Sequence, residues 1–283
     1  MTKKKGKTFK SAEIVQTTEG NLYHIGIGPK DIAPYILLFG DPARVDRAAA
    51  LLDDKKPKKG YRDFLTVTGK YKGIPVSVMS TGVGTDNTEI AVVELSQIVK
   101  NPTFIRVGST GALKKNIKLG DLIISSGALR LENTSTFFVF KGFPAVAHHE
   151  VVTALLEASS RQKTTYHLGI TASCSGFYGA QGRVTPHFKP LDTELPDKLE
   201  TMNVLNFEME SSTLFSLSSM AGYRAGTICA VYAQRYENKF IDTETMKKAE
   251  MNAIKIGLNA VEILHKMDKK RGKNAHWLPS MGI

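Results

Sequence analysis

Cysteine is almost missing from the 283 residues, which contain only Cys174 and Cys229. Two thiols exclude a disulfide framework and a cysteine-built zinc site and suit a reducing compartment, so both read as small buried hydrophobes. Also missing is any apolar run near the roughly 20 residues that span a bilayer, so no membrane partner is expected. The start, MTKKKGKTFK, is basic but passes into Ser11-Ala12-Glu13 without an apolar core. No secretory signal is read there, and a cytoplasmic setting is expected. Internal repeats, low-complexity linkers and composition shifts are absent as well, and with them the usual marks of a domain boundary. One domain is expected, long enough to bury a generous core.

What is abundant is positive charge, with a formal net charge of +11. An excess of that size raises the question of a nucleic-acid partner, but its position argues against one. Residues 1–10 hold five lysines and no acid, and residues 264–283 hold Lys266, Lys269, Lys270, Arg271 and Lys273 against Asp268. The body between is nearly balanced. The chain is therefore divided into a basic flexible tail (1–20), a folded domain (21–267) and a second basic tail (268–283).

Apolar runs of strand length occur at Tyr35–Phe39, Val76–Ser80, Thr103–Val107, Asp121–Ser125, Leu168–Ala172 and Thr227–Ala233. Their nearly continuous apolar character predicts strands covered on both faces. Helices are predicted over 88–100, 148–162, Glu210–Ala221 and 243–266. In the last of these, Met246, Ala249, Ala253, Gly257, Ala260, Val261 and Leu264 recur at helical steps behind Thr243, read as its N-cap. Alternation of the two element types predicts an α/β fold with a largely parallel sheet, whose ligands gather at the carboxyl ends of the strands.

Those strand-end loops carry the chemistry. In Gly40-Asp41-Pro42-Ala43-Arg44 a glycine, a helix start and a guanidinium could converge on an anion, although Arg44 could equally be a solvated surface residue. Ser80-Thr81-Gly82-Val83-Gly84-Thr85 lacks the lysine of a P-loop and the spacing of a dinucleotide fingerprint, leaving a structural turn. Arg106 interrupts an apolar strand and needs an anion nearby, either a ligand such as phosphate or a protein carboxylate. Ser109 and Thr110, between Gly108 and Gly111, add hydroxyl donors. Phe177-Tyr178-Gly179-Ala180-Gln181-Gly182-Arg183 combines aromatic rings with an amide and a guanidinium, groups that stack on a planar ring and bond its polar edge. Asn206-Phe207-Glu208-Met209-Glu210 places two carboxylates at a helix start, fitting either glycosidic-bond chemistry or simple capping. His148-His149-Glu150 lacks a spaced partner and is not read as a metal site.

Taken in order over about residues 22 to 265, these loops resemble the nucleoside phosphorylase superfamily, and within it the uridine phosphorylases, on the strength of Gln181 and Arg183. Purine-specific relatives place an aspartate after the strand matching Thr227–Ala233. Here Gln234-Arg235 follow. The resemblance implies a single α/β domain with a central mixed sheet, partly closed into a barrel and flanked by helices. It implies phosphorolysis of uridine to uracil and ribose 1-phosphate, with phosphate as co-substrate and no cofactor or metal. A purine nucleoside phosphorylase or a non-catalytic nucleoside binder are the alternatives.

Residue by residue, the resemblance gives phosphate to Gly40, Arg44, Arg106 and Ser109, with Arg62 reaching in from a neighbouring subunit. The ribose falls to Met209, Glu210 and the neighbour's His24, and the base to Thr110, Gly111, Phe177, Gln181 and Arg183. Arg106, Gln181, Arg183 and Glu210 are the expected catalytic residues. A homo-oligomer follows, at least a dimer and on the family pattern a hexamer built as a trimer of dimers. Thr136-Phe137-Phe138 stands where several relatives have a histidine, and Val184 to Leu199 reads as a shortened flap.

Overall fold

The computed structural model describes residues 11–283. The first ten residues of the expected amino-terminal tail therefore lie outside the described residues. In chain order the first elements are β1 (Tyr35–Phe39), α1 (Pro42–Ala49), β2 (Lys59–Tyr61), β3 (Phe64–Tyr71), β4 (Ile74–Ser80) and α2 (Thr85–Ser96). There follow β5 (Thr103–Ala112), β6 (Leu122–Leu131), β7 (Ala145–Val146), α3 (His149–Arg161), β8 (Tyr166–Cys174) and α4 (Leu195–Thr201). The chain ends with β9 (Val204–Glu208), α5 (Ser211–Ala221), β10 (Arg224–Gln234), β11 (Lys239–Phe240) and α6 (Thr243–Arg271).

β10 bonds both β5 and β6, and β9 bonds both β8 and β5, so these five strands close into a ring. From β5 the sheet continues through β1 and β4 to β3 and β2. This is the mixed, barrel-forming sheet expected. It is less parallel than the apolar runs imply, because the ring closes through antiparallel pairs and the outlying strands β2, β3, β7 and β11 also pair antiparallel.

Burial on both faces explains the apolar strands. In β1, Leu37 faces one core with Val107 of β5 and Ile254, Leu258 and Val261 of α6. Its neighbours Ile36 and Leu38 face the other, with Leu95 of α2 and Leu214 and Phe215 of α5. Each such side chain contributes roughly 1.5–3 kcal/mol on burial. Gly257 lets α6 lie close, since a Cβ there would meet Val107 Cγ2 at 2.9 Å. Among the described residues no helix is long and apolar enough to cross a membrane.

The structure corrects several sequence expectations. The cap of α6 is Asp242, whose Oδ1 accepts from the backbone N–H groups of Glu244 (3.0 Å) and Thr245 (2.9 Å), so Thr243 is already helical. β2, β3, β7, β9 and β11 are additional strands. Thr66, Thr68 and Lys70 break the apolar character of β3, and Asn206 and Glu208 that of β9. Some of these groups are bonded across the fold, as where Asn206 Nδ2 donates to Thr110 Oγ1 at 2.6 Å and the Thr68 hydroxyl to the Asp31 carbonyl at 2.6 Å, whereas Thr66 Oγ1 is buried without a hydrogen-bond partner among the described residues. In the expected first tail, Thr17 is buried and Gln16 bridges Leu22.

The expected second tail is docked. Asp268 takes a bidentate pair of bonds from Arg224 at 2.7 and 2.8 Å and a third from Tyr35 at 2.6 Å. Trp277 is buried, and its backbone N–H donates to Glu150, which also accepts from Arg224. Burial works to raise the Asp268 and Glu150 carboxyls, but these bonds outweigh it and hold both below their ordinary ranges. Carboxyls with lowered folded pKa values stabilise the dock above about pH 4.5, and that contribution is lost as pH falls through the lowered values. Trp277→Ala is expected to cost about 2–4 kcal/mol in denaturant unfolding at neutral pH, toward the lower side of the usual core Trp→Ala range. In the unsubstituted chain, emission of this sole tryptophan should shift to the red in acid before the far-ultraviolet signal is lost. Wild-type stability in the substituted chain would show that the dock is not structural.

Candidate active site

Four parallel neighbours, β4, β1, β5 and β10, deliver their carboxyl ends to one side of the sheet, and a cavity of about 510 Å³ opens there. β1 ends at Phe39, after which Gly40 and Asp41 turn into α1, with Asp41 Oδ1 accepting from the Ala43 N–H at 2.9 Å. One turn into α1 stands Arg44, only 7% exposed. Its Nε donates to Glu250 of α6 at 2.7 Å and its Nη2 to the Tyr232 hydroxyl at 3.3 Å. The solvated-surface reading of Arg44 is thus set aside.

Arg106 projects from β5 and is 6% exposed. Its Nε donates to Glu208 Oε2 at 2.9 Å and its Nη2 pairs with Glu210 Oε2. Of the two anions considered from the sequence, the protein carboxylates are those that meet the guanidinium here, and Arg106 also lines the cavity. Burial opposes its charge, yet the two carboxylates outweigh this and hold it more firmly protonated than a free arginine. Glu210 goes the other way, because burial raises its carboxyl by more than the pull of Arg106 lowers it. Glu208 is fixed by backbone N–H groups of Glu210 (3.0 Å) and Ser211 (3.0 Å) and by the Ser173 hydroxyl. Glu210 Oε1 accepts from the N–H of Gly84 at 2.7 Å, a residue whose φ of 100° favours glycine.

At the other end, Gln181 closes a short 3₁₀ turn, Gly179–Gln181, and its backbone carbonyl accepts from Arg235 Nη2 at 3.1 Å. The Arg183 guanidinium lies 4.0 Å from the centroid of the Phe177 ring, and its Nε donates to the Phe177 carbonyl at 3.0 Å. Burial, reinforced by Arg235, pushes the Arg183 pKa down to about 10. Among the described residues no carboxylate pairs with either arginine.

The structure brings Gly40, Arg44, Arg106, Ser109, Thr110, Gly111, Phe177, Gln181, Arg183, Met209 and Glu210 to this one cavity. The Thr110 hydroxyl, read from the sequence as a ligand donor, instead donates to the Phe207 carbonyl at 2.5 Å. His24 and Arg62 do not line the cavity. His24 Nδ1 lies 2.7 Å from Glu94 Oε1, while Arg62, at φ 55°, stacks on Tyr61 and Tyr23. The 148–150 histidine run is elsewhere, its Glu150 engaged by Arg224 and Trp277.

Sequence reading missed Tyr232, Phe207, Phe240 and Arg235. Tyr232 is the extra residue of a bulge in β10, between the Val231–Thr110 and Ala233–Gly111 pairs, a feature that re-aims side chains and has no sequence signal. Arg235 could have been noticed as a second cation beside Arg183. It lies 5.7 Å from the Phe207 ring, and its Nη1 is buried without a protein partner. Gln234, where an acid would matter, is turned away, its amide nitrogen donating to the Lys114 carbonyl at 2.7 Å and its oxygen accepting from the Tyr236 N–H at 2.7 Å.

The sequence pattern of the phosphorylase superfamily matches residues 34–262. The chain is similar to the uridine phosphorylase of Thermococcus kodakarensis, 46% identical over 277 residues, or 96% of this chain and 98% of that one. It is 38% identical to the uridine phosphorylase of Escherichia coli over 87% of this chain and 99% of that one. A guanosine phosphorylase of Halorubrum lacusprofundi is 34% identical over 85% of this chain and 98% of that one.

Proposed function

Since this chain belongs to the phosphorylase superfamily, we propose that it is an enzyme that cleaves uridine with inorganic phosphate, giving uracil and ribose 1-phosphate. The observation that carries the reading is the distribution of charge in one cavity. Buried Arg44 and Arg106, the latter paired with Glu210, share the cavity with the Gln181 amide and with the Arg183 guanidinium, which has no carboxylate partner among the described residues.

In this reading Gly40, Arg44, Arg106 and Ser109 hold phosphate, and Met209 and Glu210 hold the ribose. Phe177, Thr110 and Gly111 bound the uracil, with Gln181 and Arg183 on its polar edge. A phosphate oxygen bonds C1′ as the bond from C1′ to uracil N1 breaks. The electron pair leaves on the base, which then takes a proton from water. The protein supplies position and fixed charge rather than covalent chemistry. The scheme uses no metal or organic cofactor, and a cytoplasmic setting suits its substrates. His24 and Arg62 complete the site of a second copy, so the working unit is at least a dimer and, on the family pattern, a hexamer.

Purine phosphorolysis is the alternative, favoured by the guanosine phosphorylase relative. Against it, the position after Ala233 carries Gln234, which is locked onto backbone, and among the described residues no acid that could protonate a purine pairs with Arg183. Purified protein given uridine and phosphate is expected to release uracil, to do so only with phosphate present, and to scatter light as more than a monomer. Equal release without phosphate would make it a hydrolase, and faster turnover of guanosine or inosine would overturn the pyrimidine assignment. A fully active monomer would remove the interface roles of His24 and Arg62.

A further inference from the structure

Glu250 does not line the cavity, yet it is the partner of the cavity's first arginine. We propose that Glu250, on the second turn of α6, is the positioning residue for Arg44, and that the Tyr232 hydroxyl completes the clamp. The inference rests on the reading above only in taking Arg44 to meet phosphate.

One carboxylate serves three groups. Oε2 accepts from Arg44 Nε at 2.7 Å and from the Tyr232 hydroxyl at 3.2 Å, while Oε1 meets Arg47 Nε at 2.5 Å. Arg47 Nη2 in turn pairs at 3.0 Å with Asp41, whose other oxygen caps α1. The Gly40-Asp41 turn, the first two turns of α1 and the β10 bulge are thereby tied to one point on α6. With Nε taken by Glu250 and Nη2 touching Tyr232, Arg44 keeps Nη1 without a protein hydrogen bond among the described residues. Arg44 can thus meet an oxyanion in a preset orientation. A guanidinium gains specificity from such a fixed fork, and ordering it beforehand reduces what binding must spend on immobilising it. Burial pushes the Tyr232 phenol up to about 12, so it remains a donor at neutral pH.

A carboxylate that merely stabilised the fold would lower the melting temperature when removed and leave substrate affinities in proportion. A positioning residue separates them. Glu250→Ala is expected to raise the phosphate KM about tenfold or more while changing the uridine KM less than twofold. Glu250→Gln, which keeps one acceptor for Arg44 but loses the charge, should fall between, and Tyr232→Phe should cost about threefold. In the Arg44→Ala background, Glu250→Ala should add almost nothing to the phosphate effect, since coupled residues are not additive. Calorimetric titration of each full-length variant with inorganic phosphate alone reads the same differences without turnover. Additive losses, or a uridine KM that moves as much as the phosphate KM, would overturn the assignment. If the unsubstituted chain binds phosphate but releases no uracil, the proposed function fails while the titrations still decide the role of Glu250. If it binds no phosphate, both fall.

Discussion

Arg106→Ala is expected to raise the phosphate KM on the order of a hundredfold and to destabilise the protein at the same time. The first effect follows from loss of a charged, bidentate-capable donor, and a hundredfold corresponds to about 2.7 kcal/mol. The second follows from what remains. Glu208 and Glu210 are both buried, and Arg106 is the guanidinium that contacts each of them. Removing one member of a buried ionic group leaves uncompensated charge, at a cost of about 3–5 kcal/mol. The Glu210 carboxyl is already raised by burial against the pull of Arg106, and without that pull it should rise further. An acid with a raised folded pKa favours the folded state below its unfolded pKa and loses that contribution as pH rises through the folded value. The variant should therefore melt at progressively lower temperature as pH rises above the ordinary carboxyl range, more steeply than the unsubstituted protein. Arg106→Lys should recover part of the stability but little of the phosphate affinity, because an ammonium cannot span two carboxylates and an oxyanion as a guanidinium does. Unchanged phosphate saturation in Arg106→Ala would remove this residue from the phosphate end.

The central strands of the sheet, the longer helices and most of the cavity were legible because their signals are local. Strand-length apolar runs marked β1, β5 and β10, and a glycine beside an arginine or hydroxyl marked the loops that follow. A buried arginine demands an anion, so Arg106 pointed to a carboxylate or a ligand before either was located. What could not be read depends on placement. Glu250 reaches Arg44 from 206 positions away, a contact that no spacing rule anticipates. Tyr232 enters the cavity because β10 carries one residue more than β5 across the bulge. The carboxyl-terminal segment looked like a tail because its bases outnumber its acids. The single acid Asp268 meets Arg224 and Tyr35, and Trp277 finds a pocket, neither of which charge counting detects.

Arg183→Ala tests the base end, and a loss of tenfold to several hundredfold in kcat/KM for uridine is expected, on the order of 1.4–3.5 kcal/mol. The structure gives a reason to place much of that loss in kcat. Arg183 rests on the Phe177 ring, has no carboxylate partner among the described residues, and has its pKa pushed down to about 10 by burial and Arg235. A cation without a carboxylate partner interacts most strongly when negative charge appears beside it, which happens as uracil departs. Gln181→Ala removes a neutral bond and should cost less, about 1–3 kcal/mol at most. The effect of Arg183→Ala should also shrink for a nucleoside whose base is a better leaving group, such as 5-fluorouridine, because less charge then needs stabilising. Phosphate KM should hardly move, the reverse of Arg106→Ala, so the two variants separate the ends of the cavity. Should Arg183→Ala keep its uridine kinetics and lose phosphate saturation instead, the Gln181 to Arg183 turn would belong to the phosphate end and the pyrimidine assignment would lose its main support.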